Sequence, residues 1–233
     1  MKTIWQCFIL ILLCSASVSA QKVIRFYENG KAGYKKTTGE IVVPAQYIAG
    51  SEMFDNYAIV LQGLKRGYIN NMGEVFIPFI YDDASVFANG LAHVMNGNLN
   101  GYINIKGETI IPFEYEFAGD FQSGIARVKK NGLWGFIDTT GKVIIPLQYK
   151  NALDFSEGLA PVMTEKNMWG YIDATRKFIL QPKYRLAHGF ANGEAFVKNG
   201  DKAFVINKKG KKIREIENEE KREREMQEMK SKK

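Results

Sequence analysis

Residues 132–162 read GLWGFIDTTGKVIIPLQYKNALDFSEGLAPV, and this stretch decides the fold of the chain. Apolar and small residues alternate over residues 132–138, which predicts a strand, and the turn residues Thr-Thr-Gly-Lys follow it. The β-branched run at residues 143–145 predicts a second strand, which Pro146 ends because proline has no N–H for a ladder. A third strand is predicted to begin within residues 158–162, so the unit is a three-stranded antiparallel meander.

The segment between the second and third strands forms a corner. Tyr149, Ala152 and Phe155 lie three residues apart, a spacing that predicts one helical turn with its apolar side facing inward. Equivalent aromatic residues recur along the chain and could stack on sugar rings or bases. Their fixed spacing from proline and glycine favours the alternative, that they fill the core. The tyrosines of this set are Tyr47, Tyr81, Tyr115, Tyr149 and Tyr184.

The unit is repeated six times. A Gly-aromatic-Ile-Asn/Asp step recurs at intervals of 34, 34, 34, 35 and 34 residues, with degenerate first and last copies. Fixed self-similarity at this period indicates tandem units that bury each other's apolar faces. Alternating β-branched and aromatic residues, interrupted by proline and glycine, exclude the helical tetratricopeptide repeat of the same length. The copies lie at residues 33–34, 67–70, 101–104, 135–138, 170–173 and 204–207.

These features predict an all-β fold. Six tandem units over residues 21–213 are expected to form an open curved or superhelical array, with a closed six-bladed propeller-like ring as the alternative. The chain starts and ends in phase with the repeat, which favours the open array. Residues 214–233 contain seven acidic and seven basic residues and predict a short charged tail that is helical or disordered.

Residues 1–20 have the pattern of a secretory signal peptide. Lys2 precedes an apolar run at residues 7–14, and Val-Ser-Ala at residues 18–20 is a small-residue cleavage site before Gln21. Both cysteines of the chain lie in this segment, so the mature chain has no thiol for a disulfide, a nucleophile or a metal. We therefore expect an exported protein (periplasmic, cell-surface or extracellular) without a transmembrane segment after cleavage.

Two of the units contain a Trp-Gly pair, at residues 134–135 and 169–170. With the patterns GFIDTTGKVIIPLQY (residues 135–149) and FSEGLAPV (residues 155–162), the chain resembles the WG-repeat family over nearly all of its mature length. The resemblance implies an exported or surface β-repeat protein of no common chemistry and supplies no catalytic residues. Because four units lack the tryptophan, we do not expect an obligatory ligand platform at this position. The residues in its place are Ala32, Arg66, Asn100 and Ala203.

No catalytic, cofactor-binding or metal-binding residues are predicted. His93 and His188 do not recur in other units, and they lack the sequence context that a metal site or an activated nucleophile needs. Acidic and amide side chains at one repeated turn position are expected to bond to the backbone two residues on, without a ligand. These residues are Asn70, Asn104, Asp138 and Asp173.

Basic residues gather at the hairpin before each Gly-aromatic step and would form one rim if the units stack in register. Such a rim suits an acidic polysaccharide or a phosphate-bearing surface. Lysine at exposed edges also protects sheets from aggregation, and this second interpretation is favoured. The rim residues are Lys31, Lys65, Arg66, Lys129, Lys130, Lys166, Lys198 and Lys202.

The function predicted from these observations is that of an exported, non-catalytic binding or scaffold module for a protein or polysaccharide partner. The alternative is an envelope enzyme or glycan-acting protein without a recognisable motif. Export argues against a nucleic-acid partner, and no cofactor is predicted.

Overall fold

The computed structural model describes residues 22–216, and these residues form 23 strands and no helix. The strands make six antiparallel sheets that follow one another along the chain. Within each sheet, neighbouring strands are also consecutive in the sequence. The prediction of an all-β fold built from tandem meanders is therefore confirmed.

The bounds of the strands are as follows, sheet by sheet. Sheet 1 contains β1 (Val23–Glu28), β2 (Lys31–Lys36) and β3 (Ile41–Tyr47). Sheet 2 contains β4 (Ala49–Gly50), β5 (Tyr57–Gln62), β6 (Lys65–Asn70) and β7 (Val75–Tyr81). Sheet 3 contains β8 (Asp83–Ala84), β9 (Leu91–Asn96), β10 (Leu99–Asn104) and β11 (Thr109–Tyr115). Sheet 4 contains β12 (Phe117–Ala118), β13 (Ile125–Lys130), β14 (Leu133–Asp138) and β15 (Val143–Tyr149). Sheet 5 contains β16 (Asn151–Ala152), β17 (Ala160–Met163), β18 (Trp169–Ile172) and β19 (Phe178–Tyr184). Sheet 6 contains β20 (Leu186–Ala187), β21 (Glu194–Asn199), β22 (Lys202–Asn207) and β23 (Lys212–Ile216).

The repeated glycine is explained by a bulge in the middle of each sheet. In sheet 4, β13 pairs with β14 through Val128 and Gly135, and the register between β14 and β15 shifts between Trp134 and Phe136. The bulge presses Gly135 against β15, where an added Cβ would lie 2.6 Å from the Ile145 carbonyl oxygen. Because only a residue without a side chain fits so close an approach, glycine recurs at this position in five units.

The corner between units is not helical, so the predicted helical turn is wrong. Residues 151–152 form the short strand β16, and the Leu153 N–H donates to the Pro161 carbonyl at 3.0 Å. Glu157 and Gly158 have φ angles of 52° and 86°, as in a two-residue hairpin turn with both residues left-handed. The spacing of three therefore comes from a bulged hairpin. It adds a strand, so sheets 2 to 6 have four strands where three were predicted.

Successive sheets are joined by shared cores and by a repeated hydrogen bond. One core cluster combines Tyr34 and Val43 of sheet 1 with Val60 and Ile69 of sheet 2. The tyrosine of each Gly-aromatic step is fully buried, and its hydroxyl donates to a backbone carbonyl 17 residues further on, at the short strand of the next sheet. These bonds join Tyr34 to Ser51 (2.8 Å), Tyr68 to Ser85 (2.7 Å), Tyr102 to Gly119 (2.7 Å) and Tyr171 to His188 (2.8 Å).

The array is open. Among the described strands, none of sheet 1 pairs with any of sheet 6. The last strand, β23, includes residues 214–216, which the sequence assigns to the charged tail, and these three residues are extended rather than helical. The remainder of the predicted tail, residues 217–233, and the predicted signal peptide, residues 1–20, lie outside the described residues.

Candidate binding surface

The repeated turn residues have the structural role that their spacing predicts. Each side-chain oxygen accepts a hydrogen bond from the backbone N–H two residues on, at 2.9 to 3.0 Å, and the prediction is confirmed. At Asp138, hydrogen bonding from Thr140 holds the pKa of the carboxyl below its usual value. These oxygens therefore accept their hydrogen bonds within the turns that they stabilise. The residues concerned are Asn70, Asn104, Asp138, Asp173 and Asn207.

His93 lies beside a carboxylate and a serine. Its Nε2 is 3.3 Å from Asp120 Oδ1, and hydrogen bonding from His93 lowers the pKa of Asp120. Ser85 Oγ accepts from the His93 backbone N–H, and its hydroxyl has two acceptors, the Val86 carbonyl and the Asp120 carboxylate. Ser51 makes the same pair of backbone bonds one repeat earlier. Among the described residues, no hydrogen bond joins the Ser85 hydroxyl to the His93 imidazole, as a serine nucleophile with an imidazole base would require.

His188 and the corner tyrosines also have structural roles. The His188 carbonyl accepts the Tyr171 hydroxyl, and the imidazole ring lies 5.2 Å from the Phe196 ring, centroid to centroid. Tyr115 and Tyr149 are 2% and 5% exposed, which confirms that the corner tyrosines belong to the core. Within residues 22–216, no group of three or more His, Cys, Asp or Glu side chains could hold a metal ion.

The basic rim is electrically neutralised where sheets 2, 3 and 4 meet. Asp82 contacts Lys65 at 2.5 Å and also accepts from the Gly97 N–H, so it connects the hairpins of sheets 2 and 3 along one edge. We call this edge, formed by the β5–β6 hairpin and its equivalents with the adjoining sheet junctions, the hairpin edge. Three further ion pairs join Arg66 to Asp83 (2.9 Å), Lys129 to Glu116 (3.3 Å) and Lys130 to Glu114 (2.8 Å).

The same junction positions are basic in sheets 5 and 6. Lys150 and Arg185 occupy the place of Asp82 and Glu116, directly after the corner tyrosine. Six cations lie at this end of the hairpin edge, and none of them makes an ion pair among the described residues. The hairpins of sheets 5 and 6 contain only two carboxylates, Glu165 and Asp201. We call the six cations the basic patch. They are Lys150, Lys166, Lys183, Arg185, Lys198 and Lys202.

A groove lies next to the basic patch. It has a volume of about 570 Å³ and runs between the end of β15, the hairpin at residues 164–168 and the strand β19. This hairpin is longer than its equivalents, since five residues separate the paired Met163 and Trp169 whereas four separate Lys129 and Trp134. The extra residue accounts for the one 35-residue interval in the sequence. Lining side chains include Gln148, Tyr149, Thr164, Glu165, Lys166, Met168 and Phe178.

The two tryptophans that open the strands differ in exposure. Trp169 is 4% exposed and belongs to a core cluster, whereas Trp134 is half-buried. The Trp134 ring packs on Phe117 and lies 5.1 Å from the Arg127 guanidinium. The contacts that both rings make within the protein are therefore sufficient to explain the presence of the two tryptophans.

The family model for the WG containing repeat matches residues 67–99, 101–134, 134–167 and 169–202. The match covers more than half of the chain, and the protein belongs to this family. No curated protein matches the sequence. None of the described residues forms a helix of the length and apolar character needed to cross a membrane.

Solved structures with a similar fold share little sequence with this chain. The crystal structure of the eukaryotic initiation factor has a TM-score of 0.55 at 11% identity, with 84% of this chain and 63% of that chain covered. The computationally designed Ika8 protein has a TM-score of 0.50 at 10% identity, with 80% and 68% covered. The chain thus spans less than two thirds of the initiation-factor chain. At these identities the likeness concerns the fold alone.

Proposed function

We propose that the protein is exported and acts as a non-catalytic binding or scaffold module for a protein or polysaccharide partner. The observation that carries this proposal is the hairpin edge, where a groove and six cations without ion pairs lie side by side in the β-array. Repeat arrays of this kind present extended surfaces to partners. The signal-peptide pattern of residues 1–20 supports export.

The contacts of the polar residues support a non-catalytic role. The turn oxygens bond to backbone N–H groups, and Ser85 repeats the bonds of Ser51. His93 is held by Asp120 at 3.3 Å. Each of these side chains has a partner within the fold, whereas the cations of the basic patch make no ion pair among the described residues, although Lys150 donates to Asn167 and Lys183 lies over the Tyr184 ring.

Export can be tested by following a C-terminally tagged chain in its own cells. We expect the tagged protein in the envelope or the medium, with an intact mass that begins at Gln21. The variant Ala20→Leu, which places a large residue at the cleavage site, should remain about twenty residues longer. A full-length chain that stays in the cytoplasm would overturn the export proposal.

Binding can be tested on the same exported chain. The purified protein should form a saturable complex with envelope material from its own cells, and digestion by protease or by glycan hydrolases should show whether the partner is protein or polysaccharide. Heat-treated protein of the same charge serves as the control for non-specific adsorption. Uptake that does not saturate, or that is equal for the heat-treated control, would contradict a binding role.

A further inference from the structure

We propose that the basic patch and the adjacent groove bind an acidic polysaccharide that carries carboxylate sugars. This inference rests on the proposed function and names the ligand class for it. Three separate features of the described residues lead to it: the reversal of charge at the sheet junctions, the unpaired cations, and the groove made by the one hairpin that departs from the repeat.

The reversal of charge is confined to one end of the array. In sheets 2 to 4 the cations of the hairpin edge meet carboxylates from the junctions, as Lys130 meets Glu114 at 2.8 Å. Lys183 occupies the position of Glu114 in sheet 5, and it is exposed. Lys150 Nζ donates to the neutral amide oxygen of Asn167 at 3.0 Å, which fixes its position across the long hairpin without cancelling its charge. A polyanion therefore meets a cluster of cations without ion pairs here, whereas the other cation of the described hairpin edge without an ion pair, Lys31, lies opposite Glu28 in the hairpin of sheet 1.

The groove has the chemistry of a sugar site. Phe178 and Met168 are half-buried and present apolar surface to it, which suits the apolar face of a sugar ring. Gln148 and Thr164 supply an amide and a hydroxyl, and Lys166 brings a cation of the patch into the lining, next to the one lining carboxylate, Glu165. Sugar hydroxyl groups can form hydrogen bonds with Gln148 and Thr164, and a sugar carboxylate can pair with Lys166.

An acidic peptide fits less well at the same place. Extended peptides bind a sheet by adding a strand, which requires free backbone N–H groups along an edge. The groove-side edge strand of sheet 5 is β19, and Pro182, which lines the groove, has no N–H to offer. The side chains rather than the backbone therefore provide the recognition, as in a polysaccharide site.

The test compares two variants of equal charge change in the mature chain, residues 21–233. The patch variant is Lys150→Gln, Lys166→Gln, Lys183→Gln and Arg185→Gln. The matched control is Lys65→Gln, Arg66→Gln, Lys129→Gln and Lys130→Gln. The probes are polygalacturonate, neutral dextran and poly-L-glutamate, with dissociation constants measured by titration calorimetry at low and moderate salt.

We expect the wild-type protein to bind polygalacturonate, to show no binding to dextran, and to bind poly-L-glutamate more weakly than polygalacturonate. The patch variant should lose affinity at least about tenfold and show a flatter salt dependence, since fewer counterions are released on binding. The control should change by less than about twofold, because its cations are already paired on the protein and exposed pairs contribute little. Equal losses in both variants, or tighter binding of poly-L-glutamate, would overturn the inference.

A hairpin replacement separates the groove from the charge. Residues 164–168 (Thr-Glu-Lys-Asn-Met) are exchanged for the shorter Lys-Asn-Gly-Leu of residues 130–133, which raises the net charge by one. Affinity for polygalacturonate should nevertheless fall, because the groove wall is removed; equal or tighter binding would reject the groove. Urea unfolding verifies that each variant is folded.

The result also separates this inference from the proposed function. Wild type that binds none of the three polymers but still forms a saturable envelope complex overturns the polysaccharide site alone. Wild type that binds polygalacturonate but is retained in the cytoplasm overturns export alone.

Discussion

The contribution of the tyrosine hydrogen bonds between sheets can be tested with an internal control, because one sheet junction of the chain lacks the tyrosine. Tyr102 is fully buried, and its hydroxyl donates to the Gly119 carbonyl at 2.7 Å across the junction of sheets 3 and 4. At the next junction the equivalent residue is Phe136, which has no hydroxyl to offer the carbonyl of Leu153. We therefore expect Tyr102→Phe to destabilise the protein and Phe136→Tyr to leave it unchanged or more stable.

The size of the effect follows from what the substitution removes. Tyr102→Phe deletes one oxygen and leaves the ring in place, so no cavity of methyl size is created. A net loss of about 1–2 kcal/mol is expected, because the hydrogen bond contributes about 0.5–1.5 kcal/mol and the buried Gly119 carbonyl loses its donor. Phe136→Tyr should recover up to about 1 kcal/mol if its hydroxyl reaches the Leu153 carbonyl.

Urea unfolding followed by tryptophan fluorescence measures both variants. With a slope of about 2–3 kcal/mol per molar urea, the midpoint of Tyr102→Phe should fall by about 0.3–1 M. The double variant Tyr102→Phe/Phe136→Tyr should lie between the two single variants if the junctions act independently. A change below about 0.5 kcal/mol for Tyr102→Phe, as for a surface site, would refute the claim that this bond stabilises the junction.

Three further predictions concern backbone and pH. Gly135→Ala should lower the free energy of unfolding by about 3 kcal/mol or more, because its Cβ would lie 2.6 Å from a carbonyl oxygen. Gly132→Ala should cost only about 1–2 kcal/mol, because Gly132 has open space around it and only its φ of 76° is unfavourable for alanine. Equal losses of stability in urea unfolding would contradict the close approach at Gly135. Arg176 has a φ of 73° where other units have glycine, so Arg176→Gly should raise the unfolding free energy by up to about 1 kcal/mol, and a loss would show that its side chain has another role. Burial raises the pKa of Tyr102, and that of Tyr115 to about 12, whereas an unfolded tyrosine ionises near pH 10; the folded chain therefore binds more protons above that pH. The free energy of unfolding should stay level to about pH 9 and fall between about pH 10 and 12, and urea midpoints that hold steady above pH 10 would disprove this.

Much of the fold could be predicted because its causes are local and repeated. Asn70 and Asp138 stand at the start of turns and bond to the backbone two residues on, and that geometry requires only the adjacent sequence. The corner was harder to predict, since Tyr149, Ala152 and Phe155 have a spacing that suits both a helical turn and a bulged hairpin. The choice depended on the φ angles of Glu157 and Gly158 and on the neighbouring strand that pairs with the corner.

The sequence by itself determined the six-fold β-repeat, its turns and its membership of the WG-repeat family, because a period of 34 residues repeats the same local forces in every unit. It also showed the 35-residue interval, although not that the extra residue builds a groove. Only the tertiary structure decided which cations are neutralised. Lys65 and Asp82 are 17 residues apart, as are Lys150 and Asn167, and folding at the sheet junction brings each pair together. The Asp82 carboxylate neutralises the charge of Lys65, whereas the neutral amide of Asn167 leaves Lys150 charged. Whether a cation is neutralised therefore depends on a partner that is distant along the chain and that only the fold brings near.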